Sequence, residues 1–297
     1  MQSSDWRGVY AAITTPFSKN GSVDHGFLRE HVEWLITHGV RGIVALGSLG
    51  EAPTLTSDEK RTILTVAHAA IGSRIPLVAG ISGMSTVEAR ALAREAADLG
   101  CDGLMVLPPY VYRGDWREIA AHLEAIIQAT PLSCMLYNNP LAYGTDITPV
   151  QIHELCRHDN LHAVKESSGD LRRITAIREI VGDRLAVFVG MDDVIVEGVA
   201  AGAVGWIAGL VNALPEESVQ LFDLAMTKGP EAARPLYHWF LPLLRLDTGP
   251  KFVQLIKLVQ QEVGMGSADV RAPRLALSGD EREMVSALIR ERLANRH

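Results

Sequence analysis

The feature that most constrains the fold is a repeated alternation of short apolar runs with amphipathic helical segments. Eight apolar runs of strand length are Val9–Thr14, Gly42–Leu46, Pro76–Ile81, Asp102–Leu107, Ser133–Tyr137, Leu161–Lys165, Leu185–Gly190 and Ala203–Ala208. Each is followed by a segment with apolar residues at helical spacing, and Thr56-x-x-Glu59 predicts a capping box for one of these helices. Continuously apolar strands that alternate with helices are typical of a parallel sheet buried on both faces. Eight such units predict an α/β fold, the (β/α)8 TIM barrel.

The pattern changes after Gly229, where only helical segments follow. These segments are about Glu231–Leu246, Pro250–Gly264 and Gly279–Ala294. We therefore expect a barrel over residues 1–228. We expect residues 229–297 to form a C-terminal helical extension that packs on the barrel.

Composition narrows the class of protein. The 297 residues are 47% hydrophobic and carry a net charge of −7, which is ordinary for a soluble globular protein. Mild acidity without basic clusters argues against nucleic acid as a partner. No apolar run approaches the ~20 residues that span a membrane, and the first residues lack the features of a signal peptide. We expect a cytoplasmic protein with no membrane partner.

One lysine ends an apolar strand. Lys165 follows Leu161–Val164 and precedes the turn Glu166–Asp170. Burial lowers the pKa of a lysine, and an unprotonated amine can attack a carbonyl carbon to form a Schiff base. The other five lysines fall in turns or on helical stretches that we interpret as partly solvated. On this stretch alone, a strand-end lysine that reaches water or pairs with Glu166 is an open alternative.

Several polar residues follow the predicted strands. They are Gly47–Glu51, Tyr110, Tyr137–Pro140, Lys165 and Gly190. Active sites of (β/α)8 barrels lie at the carboxyl ends of the strands, so we expect these residues to meet. Lys165 beside Tyr137 would make a Schiff-base pair in which the phenol transfers protons. A core-edge tyrosine that hydrogen-bonds to backbone is the open alternative for Tyr137.

The loop Gly47–Glu51, with sequence GSLGE, is a second candidate element. Its backbone N–H groups and one hydroxyl suit a small carboxylate. Taken alone, the loop is explained more simply as a turn whose glycines are needed only for the backbone conformation.

Metal and cofactor motifs are not evident. His153 and His158 are spaced poorly for sharing a metal ion, and a helix N-cap explains Asp192-Asp193 better than a cation site does. The chain has no nucleotide-binding loop. We predict no metal and no cofactor.

Five motifs together resemble a known family. They are GSLGE (47–51), YNNP (137–140), VKESSGD (164–170), GMDD (190–193) and GWIAGLVN (205–212). With these motifs in this order, the chain resembles the dihydrodipicolinate synthase / N-acetylneuraminate lyase family over its whole length. The resemblance implies a class I Schiff-base lyase that acts on a small 2-oxo acid. It implies Lys165 as the Schiff-base lysine and Tyr137 as the proton-shuttling tyrosine.

The resemblance also implies how the substrate is held. Gly47, Ser48 and Leu49 would bind the carboxylate of the 2-oxo acid, and Gly190 and Ile207 would line the site through their backbone. Family members are commonly homotetramers, so a dimer of dimers is expected.

Three positions depart from the synthase pattern. Leu49 replaces a threonine, Val111 replaces a second tyrosine, and Ala142 replaces an arginine that holds the carboxylate of the aldehyde substrate. These changes argue against lysine biosynthesis.

The segments YGTDITP, KESSGD and DTGPKFVQLIK are most similar to a hydroxyproline-catabolic branch of the family. Its members, Δ1-pyrroline-4-hydroxy-2-carboxylate deaminases, form 2-oxoglutarate semialdehyde and ammonia. In that reaction Lys165 would add to C2 of the cyclic imine, and Asn139 and Ser167 would contact the hydroxyl or amine. Open alternatives are a sugar-acid dehydratase, a 4-hydroxy-2-oxo acid aldolase and 4-hydroxy-tetrahydrodipicolinate synthase. A non-catalytic 2-oxo acid sensor is an alternative of another class.

Overall fold

The computed structural model describes residues 1–296, and its centre is a closed barrel of eight parallel strands in sequential order. The strands are β1 Gly8–Ala12, β2 Gly42–Ala45, β3 Leu77–Ile81, β4 Gly103–Val106, β5 Ser133–Asn138, β6 Leu161–Glu166, β7 Ala186–Val189 and β8 Gly205–Ala208. The last strand pairs with the first, with Gly8 opposite Gly205. The predicted (β/α)8 barrel is confirmed.

Helices connect the strands and complete the chain. They are α1 His25–Thr37, α2 Ser57–Ile71, α3 Thr86–Asp98, α4 Trp116–Ile127, α5 Pro140–Tyr143, α6 Pro149–Leu155, α7 Arg172–Val181, α8 Ile195–Ala200, α9 Pro215–Lys228, α10 Pro230–Leu244, α11 Phe252–Glu262 and α12 Gly279–Ala294. The capping box at α2 is confirmed, since the Thr56 hydroxyl accepts from the Glu59 N–H and the Glu59 carboxylate accepts in return. The short helix α5 was not predicted. Across residues 1–296, every helix is too short or too polar to cross a bilayer.

Aromatic side chains fill the amino-terminal end of the barrel. Trp6 stacks on Tyr10 with ring centroids 5.7 Å apart, and Tyr10 meets Phe188 edge-on at 5.5 Å. Gly42 and Gly205 make room for these rings, because a Cβ on either would lie 2.2 or 2.3 Å from a ring carbon. With this end of the barrel filled, the interior space that the described residues leave for a ligand lies at the carboxyl ends of the strands.

The C-terminal helices are tied to the barrel by a buried ion pair. Lys257 on α11 donates to the Glu51 carboxylate at 2.6 Å and to the Asp269 carbonyl at 2.7 Å. The expectation that Lys257 is partly solvated is wrong, because its face of α11 packs against the barrel and leaves it 1% exposed. The proposed boundary at 228/229 falls between α9 and α10. The last residue of the proposed extension, His297, lies outside the described residues.

Asp192 holds the turn that follows β8. Its carboxylate accepts from the Trp206 indole at 2.8 Å, from the Leu210 N–H at 2.8 Å and from the Gly209 N–H at 3.1 Å. The prediction of a helix N-cap is wrong for Asp192, because the carboxylate reaches across to the next strand instead of capping its own helix.

Candidate active site

A cavity of about 490 Å³ opens at the carboxyl ends of the strands. Eight of the nine predicted site residues line it: Gly47, Ser48, Leu49, Tyr137, Asn139, Lys165, Gly190 and Ile207. These residues come from different strands and loops, and the closed parallel barrel brings all of its strand ends to one rim.

Lys165 and Tyr137 are direct neighbours across β5 and β6. The two residues are register partners, and the Lys165 Nζ lies 4.3 Å from the centroid of the Tyr137 ring. Lys165 is 7% exposed, and among residues 1–296 no carboxylate lies within ion-pair distance of its Nζ. Glu166 binds Asn138 and Arg173 instead. The alternative that Lys165 pairs with Glu166 is therefore wrong.

Asn139 connects Tyr137 to helix α5. Its side-chain N–H donates to the Tyr137 hydroxyl at 2.9 Å, and its carbonyl oxygen accepts from the Ala142 N–H at 3.0 Å as the N-cap of α5. The partner of the Tyr137 hydroxyl is thus a side chain in the cavity wall, and not the backbone.

Tyr143, at the end of α5, is a site residue that the sequence analysis missed. Its hydroxyl hydrogen-bonds to the Ser48 hydroxyl, and its ring meets Tyr137 and Tyr110 edge-on at 5.7 and 5.4 Å. Burial raises the pKa of Tyr143 well above its ordinary value, and the nearby Tyr137 and Tyr110 add to this effect. The signal was available, because Asn139-Pro140 is a helix-start pattern that turns the following residues toward the site.

The Gly47–Glu51 loop presents free backbone donors to the cavity. No hydrogen bond within residues 1–296 uses the N–H of Ser48 or Leu49. The loop is held from behind, because Glu51 adopts a left-handed conformation with φ of 55° and its carboxylate binds Lys257. This geometry fits a small carboxylate, which accepts hydrogen bonds from successive N–H groups.

Two charged side chains that were not predicted border the site. Asp247, which precedes α11, and Arg274 both line the cavity, and Arg274 lies 3.7 Å from Glu51. Burial raises the pKa of Asp247 well above its ordinary value, the nearby Asp192 carboxylate raises it further, and the Lys165 ammonium lowers it. Within the described part of the chain, no three histidine, cysteine or carboxylate side chains are grouped to hold a metal ion.

Ser167 is the predicted residue that the structure does not bring to the cavity wall. It is fully buried, and its hydroxyl lies behind Gly190, where an added Cβ would be 1.9 Å from the Ser167 oxygen and 2.6 Å from Lys165 Cε. The turn after β6 redirects the chain directly after Glu166, so Ser167 does not follow Lys165 into the cavity.

Comparison with known proteins identifies the family. The chain matches the dihydrodipicolinate synthetase family over residues 5–292. It is 33% identical over 282 residues to a 4-hydroxy-tetrahydrodipicolinate synthase of Methanothrix thermoacetophila, covering 94% of each chain. It is 32% identical over 290 residues to that of Geobacter sulfurreducens, covering 96% of this chain and 98% of the relative.

Solved structures agree with the sequence relatives. Dihydrodipicolinate synthase from Bacillus anthracis superposes with a TM-score of 0.92 at 28% identity, covering 98% of this chain and 99% of the other. The enzyme from Aquifex aeolicus gives 0.91 at 27% identity, covering 96% and 98%. These relatives are named as synthases, so they support the family and not the finer resemblance to the deaminase branch. The chain belongs to the dihydrodipicolinate synthetase family, whose members are lyases of the class I aldolase type.

Proposed function

We propose that Lys165 forms a Schiff base with C2 of a 2-oxo acid or of its cyclic imine. The observation that carries this proposal is a buried amine on the wall of the cavity that no carboxylate neutralises. A lysine amine that no ion pair holds can attack a carbonyl carbon, whereas an ion-paired lysine is committed to its carboxylate partner. The free N–H groups of Ser48 and Leu49 would bind the carboxylate next to C2.

Proton transfer is proposed for Tyr137. Its hydroxyl lies in the same cavity as the Lys165 amine and is oriented by Asn139. A phenol in this position can deliver a proton to the carbinolamine oxygen and remove one from the carbon next to the imine.

For the substrate, we propose Δ1-pyrroline-4-hydroxy-2-carboxylate. Two departures from the synthase pattern support it. Ala142 puts only a methyl group on the cavity wall, where the synthases have an arginine for the carboxylate of their aldehyde substrate. Val111, which replaces a second tyrosine, is 81% exposed and has no hydroxyl group. Lys165 would open the ring at C2, and loss of the C3 proton would expel the 4-hydroxyl as water. Proton shifts from C5 to C3 and from the nitrogen to C4 would then convert the primary amine, through an enamine, into an imine at C5. Hydrolysis of the imines at C5 and at C2 would consume two waters and release ammonia, 2-oxoglutarate semialdehyde and the free Lys165 amine. The net reaction therefore consumes one water.

A second candidate is 4-hydroxy-tetrahydrodipicolinate synthase. Two observations favour it: the named relatives are synthases, and Arg274 places a guanidinium on the cavity wall. This guanidinium would bind the carboxylate of an aldehyde substrate in place of the arginine that Ala142 replaces.

Borohydride trapping with peptide mass readout tests these proposals. The enzyme is treated with pyruvate, with pyruvate plus aspartate semialdehyde, and with the hydroxylated pyrroline carboxylate, and turnover is followed in parallel. We expect an adduct on Lys165 from pyruvate and ammonia release from the pyrroline. Condensation of pyruvate with the semialdehyde, without ammonia release from the pyrroline, would replace the deaminase by the synthase. Binding of pyruvate without an adduct would overturn the Schiff base and favour a sensor.

We also propose the homotetramer that the resemblance implies. Val111, Tyr112 and Leu141 are exposed apolar side chains, and Leu141 borders the cavity. Apolar groups of this size left in water are typical of a surface that another chain covers. Light scattering should give four times the chain mass of 32.3 kDa, and a monomer at micromolar concentration would contradict the proposal.

A further inference from the structure

We propose that Asp247 is the proton donor to the hydroxyl group that leaves the substrate held on Lys165. The inference rests on the proposed function, because it requires a Schiff-base intermediate with a hydroxyl two carbons from the imine carbon. It assigns a catalytic role to Asp247, the first residue of the segment DTGPKFVQLIK, for which the sequence analysis proposed no role.

The position of Asp247 supports the assignment. It ends a short 3-10 turn, Arg245–Asp247, between α10 and α11, and it lines the cavity together with Lys165. Gly209 admits it, because a Cβ at that residue would lie 2.2 Å from the Asp247 Oδ1. The fold therefore keeps space beside the cavity for this one carboxyl group.

The hydrogen bonds of Asp247 distinguish it from a structural carboxylate. Its Oδ1 is shielded from solvent and has no hydrogen-bond partner within residues 1–296. The neighbouring Asp192, by contrast, accepts from an indole and two backbone N–H groups. Burying a carboxyl oxygen without a partner is unfavourable, and no group within residues 1–296 hydrogen-bonds to this one. The fold therefore does not use Asp247 Oδ1 as it uses the carboxylate of Asp192.

Burial and the neighbouring charges act on the pKa of the Asp247 carboxyl. The titratable groups that act on it are Lys165, Asp192 and Asp193. Burial and the two aspartates raise its pKa, and these effects outweigh the Lys165 ammonium, which lowers it. A carboxyl group with a raised pKa is suited to donate a proton as a general acid.

The step balances with this donor. After Lys165 has bonded to C2 and the C3 proton has been removed, the enamine electron pair forms the C3–C4 double bond as the C4–O bond breaks. The departing oxygen takes the proton of Asp247 and leaves as water. The proton removed from C3 is returned to the Asp247 carboxylate, so the step loses one water and no other atom.

The test replaces Asp247 and also replaces the leaving group. Asp247→Asn keeps the shape of the side chain and removes its acidity. Asp223→Asn makes the same chemical change on the exposed surface of α9 as a control. Each variant is assayed with the hydroxylated pyrroline carboxylate and with its 4-fluoro counterpart, whose fluoride departs without needing a proton. Pyruvate trapping on Lys165 reports whether imine formation is intact.

We expect Asp247→Asn to lower the kcat for the hydroxylated substrate by about 100-fold or more, the usual contribution of a general acid. It should leave pyruvate trapping and fluoride release close to wild type, and Asp223→Asn should change none of the three. Equal losses on both substrates, or no loss on either, would overturn the inference and leave the proposed function standing. A wild-type enzyme that turns over neither substrate would overturn the proposed substrate and this inference together.

Discussion

Two lysine side chains in this barrel are withdrawn from water in similar surroundings. The Nζ of Lys165 lies 4.3 Å from the centroid of Tyr137, and the Nζ of Lys257 lies 4.4 Å from that of Phe17. Lys257 donates to a fully buried carboxylate, Glu51, whereas Lys165 has no carboxylate partner among residues 1–296. Burial and an aromatic ring are thus common to both lysines. The missing counter-charge distinguishes the lysine that faces the cavity.

The largest effect is expected at the lysine without a partner. Lys165→Ala should lower turnover by at least about 10⁴-fold, the scale seen when a nucleophile is removed. The free energy of unfolding should change by less than about 1 kcal/mol, because no buried charge is left unpaired. Steady-state kinetics and urea unfolding measure the two quantities. Residual turnover within tenfold of wild type would contradict the Schiff base, and the missing counter-charge would then not mark Lys165 as the functional lysine.

The opposite pattern is expected at the paired lysine. Lys257→Met should lower the free energy of unfolding by about 3–5 kcal/mol, because it leaves the Glu51 carboxylate buried without its cation. Urea unfolding measures the change. Lys251→Met is the matched control, since Lys251 binds Glu281 on the surface and exposed pairs contribute about 0–1 kcal/mol. Equal destabilisation by the two substitutions would show that the buried ion pair contributes no more to the free energy of unfolding than the exposed one.

Tyr137→Phe tests the ring over Lys165 separately from its hydroxyl. The ring stays above the amine while the proton-transfer group is lost, so kcat should fall by about 10²–10⁴-fold. Borohydride trapping of pyruvate should become slow but remain detectable, because the nucleophile is intact. Full loss of trapping would mean that the hydroxyl, and not the lysine environment alone, controls imine formation.

The smallest effect is expected at Tyr143. Tyr143→Phe removes the hydroxyl that binds Ser48 and leaves the aromatic contacts in place. Loss of one hydrogen bond, about 1 kcal/mol, should raise the KM for the 2-oxo acid by about fivefold with little change in kcat. A large fall in kcat would instead place Tyr143 in the proton-transfer path.

The fold was predictable because its signals are local. Strand–helix alternation and the capping box at Thr56 can be recognised within about fifteen residues, and the strand order follows from the sequential rule for barrels. Lys165 and Tyr137 could be found for the same reason, because each lies at the carboxyl end of an apolar strand. Side chains at the carboxyl ends of the strands meet at one rim of the barrel, and this does not depend on how the connecting helices pack.

The missed residues depend on contacts that are distant in sequence. Glu51 and Lys257 are separated by 206 positions, so nothing near Lys257 indicates that its face of α11 is buried. Asp247 follows a helix, as many solvated aspartates do, and only packing of that segment over the strand ends brings it to the cavity. Ser167 was named from its position near Lys165, but the strand ends at Glu166 and the Ser167 hydroxyl lies behind Gly190.

The aromatic cluster of Trp6, Tyr10 and Phe188 has a consequence for kinetics. Because these rings close the amino-terminal end of the barrel, we expect substrate to enter and product to leave through the mouth of the cavity at the carboxyl ends of the strands. If the proposed intermediate forms on Lys165, a small molecule released early, such as water, would have to diffuse past it. A product that lingers at the mouth excludes the next substrate, so we expect product inhibition to be competitive toward the 2-oxo acid.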